Sequence, residues 1–397
     1  MLYAHLNVLL HPSRIAFAFS SLAISSNSYY NSVSATLSKC TKENKEMKKK
    51  ATIQDIADAL GISRNTVSKA INNSGGLAES TREKILQKAV EMGYKQFSYV
   101  SAFSDNPTFR TAESQHAAPS FKGELSLLSA KFLAPSHFAS LMLDKFQREI
   151  AQLGYSLNIH RITEEDLRAG RLPITFSPDR SSGIICFEVF DKSYADMLCA
   201  LDLPILFVDS PAQIDGSPLL SDQLYMDNTT GITQFMNDMI RQGKRSFGWI
   251  GDYEHCQSFY ERYRAFRTAL LMAGIPAEDS FIIREHGMEE LSLIFRSMDR
   301  LPEVFICAND FLALDAIRIL TAMGKEVPGD IRICGFDDSP ESRHSIPRIT
   351  TVHIHTQVMA LSAVYLIMSR INEPGLDFRT IYTAAELIQR ESSTEGD

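Results

Sequence analysis

The chain has 397 residues, 44% hydrophobic and 22% charged, with 20 Gly and 15 Pro, enough for two or three domains and a sizeable core and unlike collagen-like or wholly disordered chains. Its six cysteines are widely separated, with no C-x-x-C pair and no Cys/His spacing of the zinc type, so a disulfide framework and a metal cage are excluded and a reducing cytoplasm fits best. The net charge of −8 is uneven: residues 47–96 carry +4, residues 1–46 carry +2 and residues 97–397 carry −14, the pattern of a polyanion-binding head on an acidic body.

Residues 1–46 are rich in Ser and Asn. Their longest apolar stretch, Ile15 to Ile24, is too short for a membrane span, and His11, Pro12 and Arg14 interrupt what a signal peptide would need. Two readings remain open, a disordered extension and a translation start at Met47, which directly precedes a lysine run. Neither gives the segment a function.

From residue 47 the chain becomes helical in pattern. Thr52 with Asp55 resembles a capping box and opens a helix whose apolar residues Ile53, Ile56, Ala57 and Leu60 share one face. Gly61 stops it. Ser63 caps a second helix through Val67, Ala70 and Ile71, and Ser80 with Glu83 caps a third that Gly93 ends. Only Gly61 and Ile62 lie between the first two, the layout of a helix-turn-helix, with small Ala57 at the helix crossing and Val67 filling the space between. The second helix exposes Arg64 and Asn65 at its start, where Arg suits guanine and Asn suits adenine. Ser63, Thr66, Ser68 and Lys69, with the Lys48 to Lys50 arm, suit phosphates.

The run ATIQDIADALGISRNTVSKAINN, followed by STREKILQKAVEMGY, resembles the amino-terminal DNA-binding domain of the lactose repressor (LacI) family. The resemblance implies that Ser63, Arg64, Asn65, Thr66, Ser68 and Lys69 contact an operator, and Thr52 and Asn72 are counted with them. After Tyr94 the family continues with a hinge helix, N-x-x-A-x-x-L, whose Leu wedges into the minor groove. Here Phe97, Val100 and Phe103 take those places. Phe103 acts as the wedge, or Phe97, Tyr99 and Phe103 pack at a dimer or linker surface.

Ser104 to Ser120 reads as a linker. Beyond Lys122, apolar runs such as Gly183 to Phe187, Ile205 to Val208, Phe247 to Ile250 and Val304 to Cys307 alternate with amphipathic helices. This is the pattern of doubly wound parallel sheets, and its length calls for two lobes with a ligand cleft at the strand ends. The expected organisation is 47–96 for the helix-turn-helix domain, 97–121 for hinge and linker, and 122–393 for an α/β effector-binding and dimerisation core.

SFYERYRAFRTALLMAGI, the long stretch from PEVFICANDF through GFDDSPESRHSIPRITTVHI, and the closing ELIQRESS resemble the regulatory core of the same family, which is similar to periplasmic sugar-binding proteins. That resemblance implies three crossings between lobes, placed near Met226, His353 and Thr380. The first lobe then combines about 122–225 with 354–379, and the second 227–352 with 380–393. It also implies effector contacts from Arg262, Asn309, Asp310 and Asp337, residue types that suit hydroxyls, carboxylates or phosphates. Ala265 stands where the family usually has Gly. Helix capping by Asp310 and a turn at Asp337-Asp338 are the structural alternatives. Trp249 and Phe187 are core residues or sugar-stacking rings, Ser136 to Phe138 are loop surface or cleft lining, and Asp227-Asn228 are helix caps. His353 and His355 lack a third metal ligand.

The expectation is a cytoplasmic, homodimeric transcription regulator, a repressor by resemblance, which binds double-stranded operator DNA under control of a sugar-like effector, without cofactor, metal or membrane. An exported solute-binding protein would leave the helix-turn-helix unexplained. An enzyme would need a nucleophile elbow, a phosphate-cradling loop or a metal-ligand set, none of which the sequence offers.

Overall fold

The computed structural model describes residues 52–71, 78, 81, 84–85, 88 and 92 of the first part of the chain, and 120–130, 137–276, 281–284 and 287–394 of the rest. Two compact units divide between Arg110 and Thr111. Lys48 to Lys50, Asn72, Phe97, Val100, Phe103 and Ser136 lie outside the described residues.

In the first unit, helix α1 spans Ile53–Leu60. The Thr52 hydroxyl accepts from the Asp55 amide at 3.2 Å while the Asp55 carboxylate accepts from the Thr52 amide at 2.7 Å, completing the capping box. Gly61 closes the helix in the left-handed region at φ 63°, where a side chain would be strained. Helix α2 spans Arg64–Ile71, and the Ser63 hydroxyl accepts from the Thr66 amide at 3.1 Å. Thr81, Lys84, Ile85 and Lys88 are helical, and Ile85 joins Ile56, Ala57, Val67 and Ala70 in one buried cluster. Ala57 and Val67 thus meet where the spacing places them.

The second unit has two lobes. In chain order the first carries β1 (Gly123–Ser129), α3 (His137–Gln152), β2 (Tyr155–Arg161), α4 (Glu164–Ala169), β3 (Ser181–Phe187), α5 (Lys192–Cys199), β4 (Ile205–Val208) and β5 (Asp222–Met226). The chain then crosses and forms α6 (Thr230–Arg241), β6 (Phe247–Ile250), α7 (Gln257–Met272), β7 (Ile282–Ile283), α8 (Met288–Ser297), β8 (Val304–Cys307), α9 (Asp310–Ala322), β9 (Arg332–Cys334), α10 (Pro340–His344) and β10 (Thr351–Ile354). It returns through α11 (Thr356–Asn372) and β11 (Thr380–Thr383), then ends on β12 (Ala385–Ile388).

The first lobe is a parallel sheet ordered β11-β5-β4-β3-β1-β2, and the second a parallel sheet ordered β7-β6-β8-β9. β3, β4 and β5 are buried along most of their length because helices cover the sheet, which is why they read as continuous apolar runs. Gly183 in β3 is required by packing: a Cβ there would lie 3.2 Å from Ile367 of α11 and from the Pro204 carbonyl.

Two features depart from expectation. β11 pairs in parallel with β5, Thr380 opposite Gln223, so it belongs to the first lobe and the third crossing falls after Thr383 rather than at Thr380. The edge of β5 lies open to a parallel partner, and the Asp227 amide donates to the Thr383 carbonyl at 2.7 Å, extending that pairing to the crossing itself. β12 then forms an antiparallel ribbon with β10, an element that a purely parallel reading lacks.

Candidate functional site

In the first unit, Arg64 and Asn65 are exposed on the opening turn of α2, and Lys69 is exposed one turn later. All three are available to a groove. Thr52 and Ser63 already hold helix starts through their hydroxyls, and Ser63 also shares a hydrogen bond with Thr66 at 2.8 Å. These three hydroxyls set the geometry of the helix pair that presents Arg64 and Asn65.

In the second unit a cavity of about 370 Å³ opens between the lobes at the carboxyl ends of the strands. The first lobe contributes Phe187 at the end of β3, Glu188 and Phe190 after it, Asp209 after β4 and Met226 at the end of β5. The second contributes His255 just before α7, Phe259 and Arg262 from its first turns, Asn309 and Phe311 at α9, and Asp337, Asp338 and Arg343 around α10. His353, Ile354 and Thr356 close it at the second crossing.

Arg262 is 2% exposed. Its Nε donates to Asn228 Oδ1 at 3.0 Å and its Nη1 to the Ala308 carbonyl at 2.7 Å. The guanidinium lies 3.4 Å from the centroid of the Phe336 ring and 3.8 Å from Asp337. Asp337 is thus an ion-pair partner as well as a wall. Burial pushes its carboxyl up to about 7, with Arg262 opposing and Asp310, Asp209 and Glu188 reinforcing the rise.

The adjacent Asp338 behaves oppositely. Burial disfavours its charge, but hydrogen bonds from His353 at 2.9 Å, Arg343 at 2.7 Å and Arg390 at 2.5 Å outweigh that and hold it at about 2. Glu188, Asp209, Asp337 and Asp338 are the non-glycine residues with positive φ among the described residues, and all four line this cavity. Backbone strain concentrated in this way is typical of a ligand site.

Asp310, expected among the effector contacts, does not line the cavity. It is fully buried, accepting from the Thr351 hydroxyl at 2.6 Å and the Ser339 amide at 2.7 Å, and burial raises its pKa. Its carboxylate ties α9 to β10 and to the start of α10. Gly335 makes room for it, since a Cβ there would meet Asp310 Oδ1 at 2.3 Å. The cap of α9 is Asn309, whose Oδ1 accepts from the Leu312 amide at 3.0 Å.

Trp249 is fully buried, with its indole donating to the Gly251 carbonyl at 2.7 Å, and belongs to the core, whereas Phe187 reaches the cavity. Asp227 caps α6 by accepting from the Thr229 and Thr230 amides. Asn228 instead bridges Arg262 to Glu261, donating to Glu261 Oε2 at 2.8 Å. His353 pairs with Asp338, and no group of three or more metal-ligating side chains occurs among the described residues.

Sequence reading passed over Glu188 and Asp209. The available signal was position: each acid follows directly on a buried strand of an open α/β sheet, at the end where ligands bind.

Comparison with known proteins decides the family. Residues 52–96 match the bacterial regulatory proteins of the lacI family, and residues 236–393 match the periplasmic binding protein-like domain. The chain belongs to the LacI family. It is therefore a DNA-binding transcription regulator, in a family of regulators rather than enzymes. The HTH-type transcriptional repressor PurR of Actinobacillus pleuropneumoniae serotype 3 (strain JL03) is 24% identical over 351 residues, covering 86% of this chain and 98% of that protein. The regulator GalR of Lacticaseibacillus casei is 27% identical over 360 residues, covering 86% and 99%.

Among solved structures, the regulator CelR in complex with cellobiose aligns at a TM-score of 0.59 and 21% identity, covering 87% of this chain and all of that one. The lac repressor dimer bound to operator and the anti-inducer ONPF aligns at 0.57 and 20%, with the same coverage. These two likenesses carry the LacI-family fold. Among the described residues no helix is long and apolar enough to cross a membrane.

Proposed function

We propose that this LacI-family regulator is a cytoplasmic homodimeric repressor whose grip on an operator is set by a small hydroxylated effector held in the cavity between the lobes. The observation that carries the reading is the cavity. Its volume of about 370 Å³ suits a mono- or disaccharide-sized molecule, and it combines phenylalanine faces with hydrogen-bonding side chains drawn from both lobes. A ligand that touches both lobes favours one angle between them, and it shifts an equilibrium only by binding the two states unequally.

Arg64 and Asn65 read base edges, while Ser63, Thr66, Ser68 and Lys69, with Thr52 and Asn72, hold the backbone. One head spans few base pairs, so two heads on a pseudo-palindromic site supply the affinity. Structural neighbours solved in complex with cellobiose and with D-xylulofuranose support a sugar-like effector.

The test is fluorescence anisotropy of the full chain with duplexes from the region around its own gene, alongside random duplex, with and without sugars that raise the melting temperature. A preferred duplex whose affinity changes at least fivefold with such a sugar supports the reading. Equal binding to all duplexes at low salt, or a preferred duplex indifferent to every stabilising ligand, overturns it.

A further inference from the structure

The two lobes meet along the opening turns of α7 as well as at the crossings. The first amides of a helix have no partner within it, and Cys256, at the cap position of α7, brings a thiol where an oxygen usually serves. The partners come from the other lobe. The Gln257 amide donates to the Ser210 carbonyl at 2.9 Å and the Ser258 amide to Asp209 Oδ1 at 3.1 Å, both in the segment after β4. A helix of the second lobe thus has its start satisfied by the first.

Gln257 carries the contact further. Its Oε1 accepts from the Gln213 amide at 2.9 Å, and its Nε2 donates at 3.0 Å to Glu261 Oε1, the oxygen that also accepts from Tyr382 of β11. The receiving surface is held in turn by β5. Gln213 Nε2 donates to Gln223 Oε1 at 2.8 Å, the same oxygen accepts from the Tyr225 hydroxyl at 2.6 Å, and that hydroxyl shares a hydrogen bond with Ser210 Oγ at 2.7 Å. Gln223, Tyr225 and Ser210 are buried, and a buried network with its members satisfied holds one geometry. At the outer end the contact continues to Phe190 and His255, whose rings meet edge to face with centroids 4.9 Å apart.

These contacts run outward from the crossings. Glu261 lies beside Tyr382 and Asn228, close to them, and Gln257 lies one helical turn, about 5.4 Å, further along α7. A swing of one lobe displaces the outer turn more than the inner one. Hydrogen bonds of 2.9 Å are lost when their atoms part by about 1 Å, so the lobe angle is held until the bonds of Gln257 break together.

We propose that Gln257 is the centre of a clasp that fixes the angle between the lobes, and that a swing about the crossings proceeds by parting Gln257 from Ser210 and Gln213. The clasp is read from the contacts between the lobes and is measured with no ligand at all; only its use as the element that an effector biases rests on the effector reading.

The test is hydrogen–deuterium exchange of the full chain at single-amide resolution, comparing the parent with Gln257→Met, which keeps the length of the side chain and removes both of its hydrogen bonds. The expected result is that the main-chain amides at positions 257 and 258, whose own acceptors on the first lobe are untouched by the substitution, exchange faster by about fivefold or more, while those of β5 and β6 keep their rates. Acceleration confined to Gln213, which loses its acceptor directly, or no change at all, overturns the proposal. If β5 and β6 loosen as well, a charge exchange decides. Gln257→Glu sets a second carboxylate against Glu261 and should speed the two amides, and adding Glu261→Gln, which restores donor and acceptor in reverse order, should return them to about the parent rate. No effect of Gln257→Glu, or a double variant as fast as the single one, overturns the proposal.

Discussion

Tyr382 of β11 donates its phenolic hydrogen to Glu261 Oε1 of α7 at 2.7 Å, joining the first lobe to the second two residues before the third crossing. Glu261 is buried and also accepts from Asn228 at 2.8 Å and Gln257 at 3.0 Å, so it links the lobe contact to the partner of Arg262. Tyr382→Phe keeps the ring stacked on Tyr225 at 5.3 Å and removes only the hydrogen bond. Tyr382 is half exposed, so the expected loss is about 1 kcal/mol, a fall in Tm of about 2–3 °C. Calorimetry decides this; an unchanged Tm would mean that the contact adds nothing to the joining of the lobes.

Asp337 gives stability a pH dependence. Its pKa is raised from 3.8 to about 7, so the folded chain binds more protons than the unfolded chain between those values. Its contribution is complete below about 4 and is lost as pH rises through 7. Asp337→Asn removes the ionisable group while keeping its shape, and Asn tolerates the positive φ of 110° better than most residues. The variant should therefore have a higher Tm than the parent at pH 8 by about 2–4 °C, and the difference should vanish below about pH 4. Equal melting temperatures at pH 8 would place the ionised carboxylate at no cost in the cavity wall.

Arg262→Ala leaves the Asn228 side-chain oxygen and the Ala308 carbonyl without their donor and strips the cover from Phe336. The expected cost is about 3 kcal/mol, with loss of the effector response. Arg262→Lys keeps the charge but not the fork, and should restore less than half of that stability. Urea melts of the three chains measure it.

The reading head separates two kinds of contact. Arg64→Ala or Asn65→Ala should flatten sequence preference at one or two operator positions, by about 1–3 kcal/mol each. Lys69→Ala should weaken all duplexes alike and reduce the slope of log affinity against log salt by about 1. Anisotropy across a set of single-base operator variants distinguishes the two, and an unaltered preference in the first pair would remove them from base reading.

Much of the architecture was legible because it rests on local rules. Capping residues, the Gly61 stop and the small Ala57 fix the helix pair, and the buried strands β4, β6 and β8 announce themselves as apolar runs. β2 is an edge strand with a half-exposed pattern and gives no such signal, while the pairing of β11 with β5 joins residues 157 positions apart and is invisible to periodicity. Within the cavity, Arg262, Asn309 and Asp337 stand in the lining, but Asp310 does not. A sequence shows a carboxylate without showing whether its oxygens are already satisfied, and those of Asp310 are, by Thr351 and Ser339. Glu188 and Asp209 went unread because strand-end acids resemble ordinary turn residues until two sheets face each other.

The three crossings lie side by side. The one after Met226 is held to the one after Thr383 by the Asp227 amide, and the latter runs directly into the ribbon in which Ala385 stands opposite Ile354, the residue at the second crossing. Three cords lashed together along one margin resist sliding and separation yet permit a swing about their common line. Under the proposed function, a ligand filling the opposite mouth would be read out as a rotation, and lengthening a single cord by a residue would be restrained by its two neighbours.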